Sequence, residues 1–109
     1  MDRKKILTLK QNELLDIVNK RFDITISGLE DAKNLSDAWK IVERLEKKGW
    51  RFDIISAKAL KQVDGLRLEN GNPVTIFAQY GYSPHFESIT EGICKTALIA
   101  LNIMERATA

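Results

Sequence analysis

The clearest hydrophobic pattern in the chain covers residues 88–104, SITEGICKTALIALNIM. Apolar residues recur there at helical spacings of three and four positions, and neighbouring apolar residues widen the stripe beyond a narrow seam. Ser88 and Glu91 stand in the Ser-x-x-Glu order of a capping box, in which the two side chains satisfy backbone donors of the first turn. The pattern predicts a buried helix that begins at Ser88.

Gly92 lies one turn into this helix, where glycine is a poor helix former. One interpretation is that it allows close packing against a strand, and the other is that it leaves backbone accessible to a ligand. Packing is favoured, because a single glycine is a weak sign of a ligand site.

Two further helices follow from the same spacing. Residues 12–22 predict a short amphipathic helix after a basic N-terminus, and residues 1–10 are expected to be partly flexible. A longer helix starts with a cap at Asn34 or Ser36 and ends at Gly49, which supplies a left-handed residue. Trp50 then falls where a Schellman motif places an apolar contact.

Alternating patterns predict a small sheet. Residues 50–57, 66–68 and 74–80 are predicted strands, the last two joined as a hairpin by the turn-forming run 69–73. Residues 23–27 suit either a brief edge strand or an extended connection. We therefore expect an α+β fold, in which a small antiparallel sheet packs with α-helices in an α/β/α sandwich-like arrangement.

Length and charge restrict the class of protein. The 109 residues, 44% of them hydrophobic, predict a single domain over 1–109, and the net charge of +2 comes from interspersed acids and bases. This charge does not suggest binding to duplex DNA. One cysteine, no recognisable leader and no apolar run long enough to cross a bilayer predict a cytoplasmic protein without a membrane partner.

Catalytic chemistry has few residues to support it. His85 is the only histidine and Cys94 the only cysteine, so a histidine and cysteine metal site cannot form within one chain. A Cys-His nucleophilic pair is one interpretation of these residues, but a cysteine on the apolar face of a helix is usually a buried small side chain. Phosphate-binding glycine motifs are absent from the sequence. We expect neither enzyme activity nor a cofactor.

Ligand recognition is better supported, by the aromatic loop that leads into the capping box. Rings could stack on a base there, while the amides of residues 89–91 hold an anionic group. Arginines on neighbouring strands and a lysine in the helix could add phosphate contacts. The candidate ligand-binding residues are Tyr80, Tyr82, His85, Phe86, Ser88, Arg51, Arg67 and Lys95.

A structural interpretation of the same residues stays open. Tyr80 and Phe86 could be core or dimer-interface residues, and both arginines could pair with surface acids. Trp39 and Trp50 could be interface anchors but are expected in the core. A short three-stranded sheet leaves an edge or a face to cover, so a homodimer is expected.

Three segments resemble the phage α/β/α ("ABA") sandwich domain: SDAWKIVE at 36–43, GWRF at 49–52 and EGICKTAL at 91–98. The resemblance covers residues 34–102 and implies a small phage or prophage protein without a catalytic signature. It leads to the expectation of a non-catalytic protein that binds and sequesters a small anionic, nucleotide-like ligand, such as a host-defence signal. The alternative is a phage accessory protein that acts through homo-oligomerisation or a protein partner.

Overall fold

The computed structural model of the protein describes residues 1–56, 61–69, 72–80 and 86–108, with side chains for all of these except 68, 69, 72–80, 107 and 108. Four helices and three strands occur within the described residues. In chain order they are α1 (Arg3–Leu7), α2 (Gln11–Phe22), α3 (Asp31–Glu46), β1 (Arg51–Ser56), β2 (Lys61–Glu69), β3 (Asn72–Tyr80) and α4 (Ile89–Thr108).

Helix α4 is the centre of the core, as its hydrophobic pattern predicts. Every residue from Gly92 to Ala100 is buried, because α4 contacts β2 and β3 on one side, α3 on another, and α1 and α2 elsewhere around its circumference. A helix that is apolar over more than one stripe requires neighbours on several sides. Helices α3 and α4 therefore pack against the sheet, and α1 and α2 pack against α4.

The sheet has the order β1-β2-β3 with both pairs antiparallel, so the α+β prediction and the predicted hairpin are confirmed. Pairing of β2 with β3 extends from Lys61 opposite Tyr80 to Glu69 opposite Asn72, which makes both strands longer than predicted. The predicted turn residues 70 and 71 lie outside the described residues.

Strand β1 alternates as its sequence predicts. Phe52 and Ile54 are half-buried on the face that α3 and α4 cover, whereas Arg51, Asp53 and Ile55 are exposed on the other face. The α/β/α layering that the family resemblance implies would need a helix on this second face as well.

The end of α3 has the predicted geometry. Gly49 has a φ of 92°, in the left-handed region that favours glycine. The amide of Trp50 donates to the carbonyl of Leu45 at 3.0 Å and the amide of Gly49 donates to Glu46 at 3.0 Å, which are the two hydrogen bonds of a Schellman motif. Helix α3 therefore turns tightly into β1.

Two features near the chain's connections were not predicted. Residues 3–7 form α1, with Asp2 as N-cap and Ile6 buried, although this segment was expected to be partly flexible. Helix α3 begins at Asp31, earlier than either predicted cap, and Asn34 instead donates from its side chain to the carbonyl of Glu30. Both departures depend on contacts that local patterns do not encode.

Residues 23–27 form a connection and not a strand: Asp23 is the left-handed C-cap of α2, and residues 24–27 belong to no helix or strand. The side-chain amide of Asn19 substitutes for a neighbouring strand there: its Oδ1 accepts from the Ile26 amide at 2.9 Å and its Nδ2 donates to the Ile26 carbonyl at 3.1 Å. One side chain thus satisfies both backbone groups of Ile26, which is buried.

The two tryptophans have different environments. Trp50 is 2% exposed, so its predicted place in the core is confirmed. Trp39 is 42% exposed, so its predicted burial was wrong. The buried stripe of α3 uses Ala38, Ile41 and Leu45 instead, which leaves Trp39 at the edge of that stripe.

Gly92 packs closely against β2, as the favoured interpretation holds. A Cβ atom at this position would lie 2.8 Å from Val63 Cγ2 and 2.9 Å from Phe86 Cε2. Such distances are shorter than any relaxed carbon contact, and valine is stiff about χ1.

Replacing Gly92 by alanine is therefore expected to destabilise the protein by about 1 to 3 kcal/mol, even though alanine is the better helix former. Urea denaturation followed by circular dichroism measures the effect. The double variant Gly92→Ala, Val63→Ala should cost less than the sum of its single variants, because the second change removes the methyl group in the way. Full additivity would contradict the proposed clash.

None of the helices in the described ranges is long and apolar enough to cross a membrane.

Candidate functional site

A cleft of about 940 Å³ lies where three connections of the described structure meet. These are the connection from α1 to α2, the connection that precedes α3, and the residues that precede α4. Its lining residues are Leu7, Thr8, Leu9, Lys10, Gln11, Ser27, Gly28, Leu29, Glu30, Lys33, Asn34, Phe86, Glu87, Ser88, Glu91 and Lys95. Of the sequence-predicted site residues, Phe86, Ser88 and Lys95 line this cleft.

Three helices begin at the wall of the cleft. Lys10 is the N-cap of α2 and Glu30 is the N-cap of α3, and neither makes a side-chain capping hydrogen bond. Ser88 precedes α4. Because the N-terminus of a helix has a positive partial charge, all three starts contribute positive potential near the cleft.

The start of α4 is already occupied by protein groups. The Asp31 carboxylate accepts hydrogen bonds from the Ile89 amide at 3.1 Å and from the Thr90 amide and hydroxyl at 2.7 and 2.8 Å. Ser88 Oγ accepts from the Glu91 amide at 3.1 Å, which confirms that half of the capping box. The prediction that these amides are available to an anionic ligand was therefore wrong, since Asp31 already occupies that position.

The other half of the capping box is displaced by one residue. Glu91 Oε1 accepts from the amide of Glu87 at 2.7 Å, one position before the Ser88 amide that the motif would use. Ser88 Oγ also donates to the carbonyl of Leu29 at 2.5 Å. Ser88 thus ties α4 to the connection before α3, and its hydroxyl is engaged in the fold.

Asp31 is electrostatically adapted to this position. Burial by itself would raise the pKa of its carboxyl, but hydrogen bonds from Thr90 and Ile89, together with the charge of Lys61, lower that pKa below the ordinary value of 3.8. The carboxylate is therefore the form that the α4 N-terminus stabilises.

Lys95 is buried at the side of the cleft. Its ammonium donates to the carbonyl of Leu7 at 2.8 Å and lies 3.2 Å from Glu91 Oε2, with only 4% of its side chain exposed. These contacts join α4 to the C-terminal end of α1. Lys95 therefore holds the fold together, and a ligand would contact it only as part of this ion pair.

Phe86 is a core residue. It is 2% exposed and its ring lies against the backbone of Gly92, so neither face of the ring is open for stacking on a ligand. Of the two roles that the sequence suggests for Phe86, the core residue is therefore the one observed, and Phe86 does not stack on a ligand.

The two candidate arginines are not brought together. Arg51 is on the exposed face of β1, with Nε 3.7 Å from Asp53 Oδ1. Arg67 is on the opposite face, because it is one residue beyond Leu66, which pairs with Arg51. Its guanidinium carbon lies 4.9 Å from the centre of the Trp50 ring, a cation–π contact. Neither arginine lines the cleft, so a joint phosphate contact is excluded by the register.

The remaining aromatic candidates are less defined. Tyr80 ends β3 opposite Lys61, and its side chain lies outside the described residues. Tyr82 and His85 also lie outside the described residues. Their predicted contacts with a ligand stay predictions.

Cys94 is fully buried and does not line the cleft. Burial, reinforced by the negative charge of Glu91, raises the pKa of the thiol to about 12. A thiol with this pKa is not an effective nucleophile at neutral pH. In the described portion of the chain, no three histidine, cysteine, aspartate or glutamate residues are grouped so that they could hold a metal ion.

Several residues of the cleft were not identified from the sequence. Lys10, Lys33 and Glu30 lie near the starts of α2 and α3, and Asn34 is buried beneath them with its side chain bonded to Ser27 and Glu30. A basic or amide residue near a helix start was the only local signal. That signal does not reveal that separate helix starts share one cleft.

No family model, curated protein sequence or solved structure matches the chain.

Proposed function

We propose that this protein binds a small anionic, nucleotide-like molecule in the cleft without transforming it. The observation that carries the proposal is the cleft of about 940 Å³ at whose wall α2, α3 and α4 begin. Small-molecule sites commonly measure about 300 to 1,000 Å³, which is enough for a nucleotide. The N-termini of α2 and α3, whose N-cap residues make no side-chain capping hydrogen bond, favour a negative group in such a site, whereas the start of α4 is already occupied by Asp31.

The charged side chains of the cleft support an anionic ligand in one respect. The lining of the cleft contains as many lysines as glutamates, namely Lys10, Lys33 and Lys95 against Glu30, Glu87 and Glu91. Of these, Lys95 and Glu91 form an ion pair with each other. Lys33 and Glu30 form only a long, exposed pair at 3.9 Å, which an incoming phosphate could replace. Lys10 and Lys33 are therefore the side chains that we assign to the anionic group, in place of Arg51 and Arg67.

Binding without catalysis is proposed because the polar groups with reactive chemistry serve the fold. The Ser88 hydroxyl donates to the Leu29 carbonyl and accepts from the Glu91 amide. The Asn34 side chain accepts from the Ser27 hydroxyl and donates to the Glu30 carbonyl. The Glu91 carboxylate accepts from the Glu87 amide and pairs with Lys95. A phage setting, with sequestration of a host-defence nucleotide, rests on the resemblance of residues 34–102 to the ABA sandwich domain.

Screening by thermal shift against mono-, di- and cyclic nucleotides and ADP-ribose derivatives tests the proposal. A ligand that binds only the folded state raises the melting temperature by mass action. Absence of a shift with every compound, at concentrations near their solubility, would contradict nucleotide binding.

Removing the charges of Lys10 and Lys33 is expected to weaken binding of any such ligand. Lys10→Gln and Lys33→Gln should each reduce affinity by up to roughly fivefold in calorimetric titration, because an exposed ion pair contributes about 0.2 to 1 kcal/mol. The double variant should also reduce the dependence of affinity on salt. Lys48→Gln, an exposed lysine just beyond the far end of α3, is the matched control. Equal affinity in all these proteins would place the ligand outside the cleft.

A protein-interaction role is the second candidate, and the exposure of Trp39 favours it. An indole that is 42% exposed on a helix is the type of residue that anchors protein interfaces. A pull-down that recovers one defined protein, together with no effect of any nucleotide on the melting temperature, would select this function over the first.

A further inference from the structure

Strand β1 has one edge that no other described strand covers. It is the terminal strand in the order β1-β2-β3, and all of its described pairing is with β2. Among the described residues, the backbone hydrogen bonds formed outside helices and strands include none from residues 51–56. Within the described part of the chain, the outward N–H and C=O groups of β1 thus have no backbone partner, and another strand could pair with them.

The side chains along this edge suit a neighbouring strand. Phe52 and Ile54 are only half-buried although they lie on the face that the helices cover, and Ile55 is 45% exposed on the other face. Strand β1 also contains no proline or lysine, which commonly protect an edge from pairing. A strand added here would cover apolar surface on both faces.

The charges on β1 are self-complementary. Arg51 and Asp53 lie two residues apart on the same face, and both side chains are well exposed, at 76% and 60%. Asp53 is also directly opposite Asp64 in β2, and like charges in opposite positions are destabilising. A positive charge from a second chain would relieve this repulsion.

We propose that a second copy of this chain pairs with β1 edge to edge, antiparallel and about a two-fold axis, with Phe52 opposite the partner's Phe52. This register places Arg51 opposite the partner's Asp53, and by symmetry Asp53 opposite the partner's Arg51. The two sheets then form one continuous sheet with the helices of both copies on the same side. The interface is independent of the ligand-binding function proposed above.

Charge selects this register over its neighbours. Directly opposite residues must face the same side of a sheet, so the alternatives are displaced by an even number of residues along the partner strand. A register centred on Asp53 places it opposite the partner's Asp53, which is repulsive. A register centred on Ile54 places Asp53 opposite the partner's Ile55, so Asp53 forms no charge pair with the partner strand.

Analytical ultracentrifugation of the full chain and of three variants tests the proposal. Wild type should dimerise, whereas Asp53→Arg and Arg51→Asp should each weaken the dimer by about tenfold or more, because two attractive pairs become two repulsive ones. The double variant Arg51→Asp, Asp53→Arg restores both pairs in the proposed register and should recover the wild-type dimerisation constant. Asp16→Arg, which reverses an exposed charge on α2, should behave as wild type.

The melting temperature of each variant separates dissociation from unfolding. Asp53→Arg places a positive charge opposite Asp64, so the fold should be retained. A monomeric wild-type protein would overturn the proposal. A dimer that Asp53→Arg leaves intact would also overturn it. A double variant that fails to re-associate would do the same, because the charge pairs are restored in the proposed register but not in a register centred on Asp53 or Ile54.

Discussion

Replacing Lys95 by methionine is expected to lower the free energy of unfolding by about 3 to 5 kcal/mol, the range for breaking one side of a buried ion pair. Methionine retains most of the side-chain volume, so the loss is mainly electrostatic. The change leaves the Glu91 carboxylate, which is only 15% exposed, without its cation and removes the donor to the Leu7 carbonyl. Urea denaturation monitored by circular dichroism measures the difference.

Two further variants identify the cause of this loss. Lys40→Met removes a lysine that is 61% exposed and pairs with Asp37 on the surface, so it should cost less than about 1 kcal/mol. The double variant Lys95→Met, Glu91→Gln removes both charges of the buried pair and should be more stable than Lys95→Met alone. If Lys95→Met costs no more than Lys40→Met, the ammonium of Lys95 is solvated and the described ion pair is not buried.

Lys95 also shows why the site was harder to predict than the fold. Its position on α4 followed from helical spacing, and a lysine in that context suggested contact with a ligand. Its actual partner is the Leu7 carbonyl, 88 residues away, at the end of a helix too short to have a strong pattern. Helix α1 exists because Ile6 and Leu9 find a hydrophobic surface on the rest of the domain, which a local sequence window does not contain.

Features governed by local chemistry were predictable. The Schellman motif at Gly49 depends on one residue's φ and on neighbours within six positions, and the alternation in β1 depends on one buried face. Close packing at Gly92 also followed, because a glycine in a buried helix usually marks a near approach. Strand β2 was predicted too short because Gly65 and Arg67 interrupt its inner face, which weakens the alternation that signals a strand.

The candidate site depends on residues that meet only in three dimensions. The capping box at Ser88 correctly marked the start of α4, and a free helix N-terminus is a good anion site. The sequence could not show that a carboxylate 58 residues earlier occupies this N-terminus. The prediction identified the right kind of group, an anion at the start of α4, but the anion belongs to the chain itself.

Replacing Asp31 by asparagine is therefore expected to destabilise the protein by about 2 to 3 kcal/mol at neutral pH, because charged hydrogen bonds to two amides and a hydroxyl are weakened together. Asparagine keeps one acceptor oxygen but loses the negative charge at the helix N-terminus. Asp16→Asn, which removes an exposed carboxylate from α2, should change stability by less than about 0.5 kcal/mol.

The Asp31 effect should also depend on pH in a defined direction. The folded-state pKa of Asp31 is lower than its ordinary value of 3.8, so its stabilisation is complete above that value. As the pH falls from 3.8 through the lower folded-state pKa, the carboxylate is protonated and the advantage of wild type over Asp31→Asn should disappear. A stability difference that stays constant down to the acid transition would show that the charge of Asp31 does not contribute.

Asp31→Ala gives a direct test of the helix N-terminus as an anion site. Alanine leaves the amides of Ile89 and Thr90 without their acceptor, so inorganic sulfate should bind there and raise the melting temperature of this variant more than that of wild type. Sodium chloride at equal ionic strength controls for general screening. An equal response of both proteins to sulfate would mean that the start of α4 has no affinity for a free anion, and that only the covalently tethered carboxylate of Asp31 is held there.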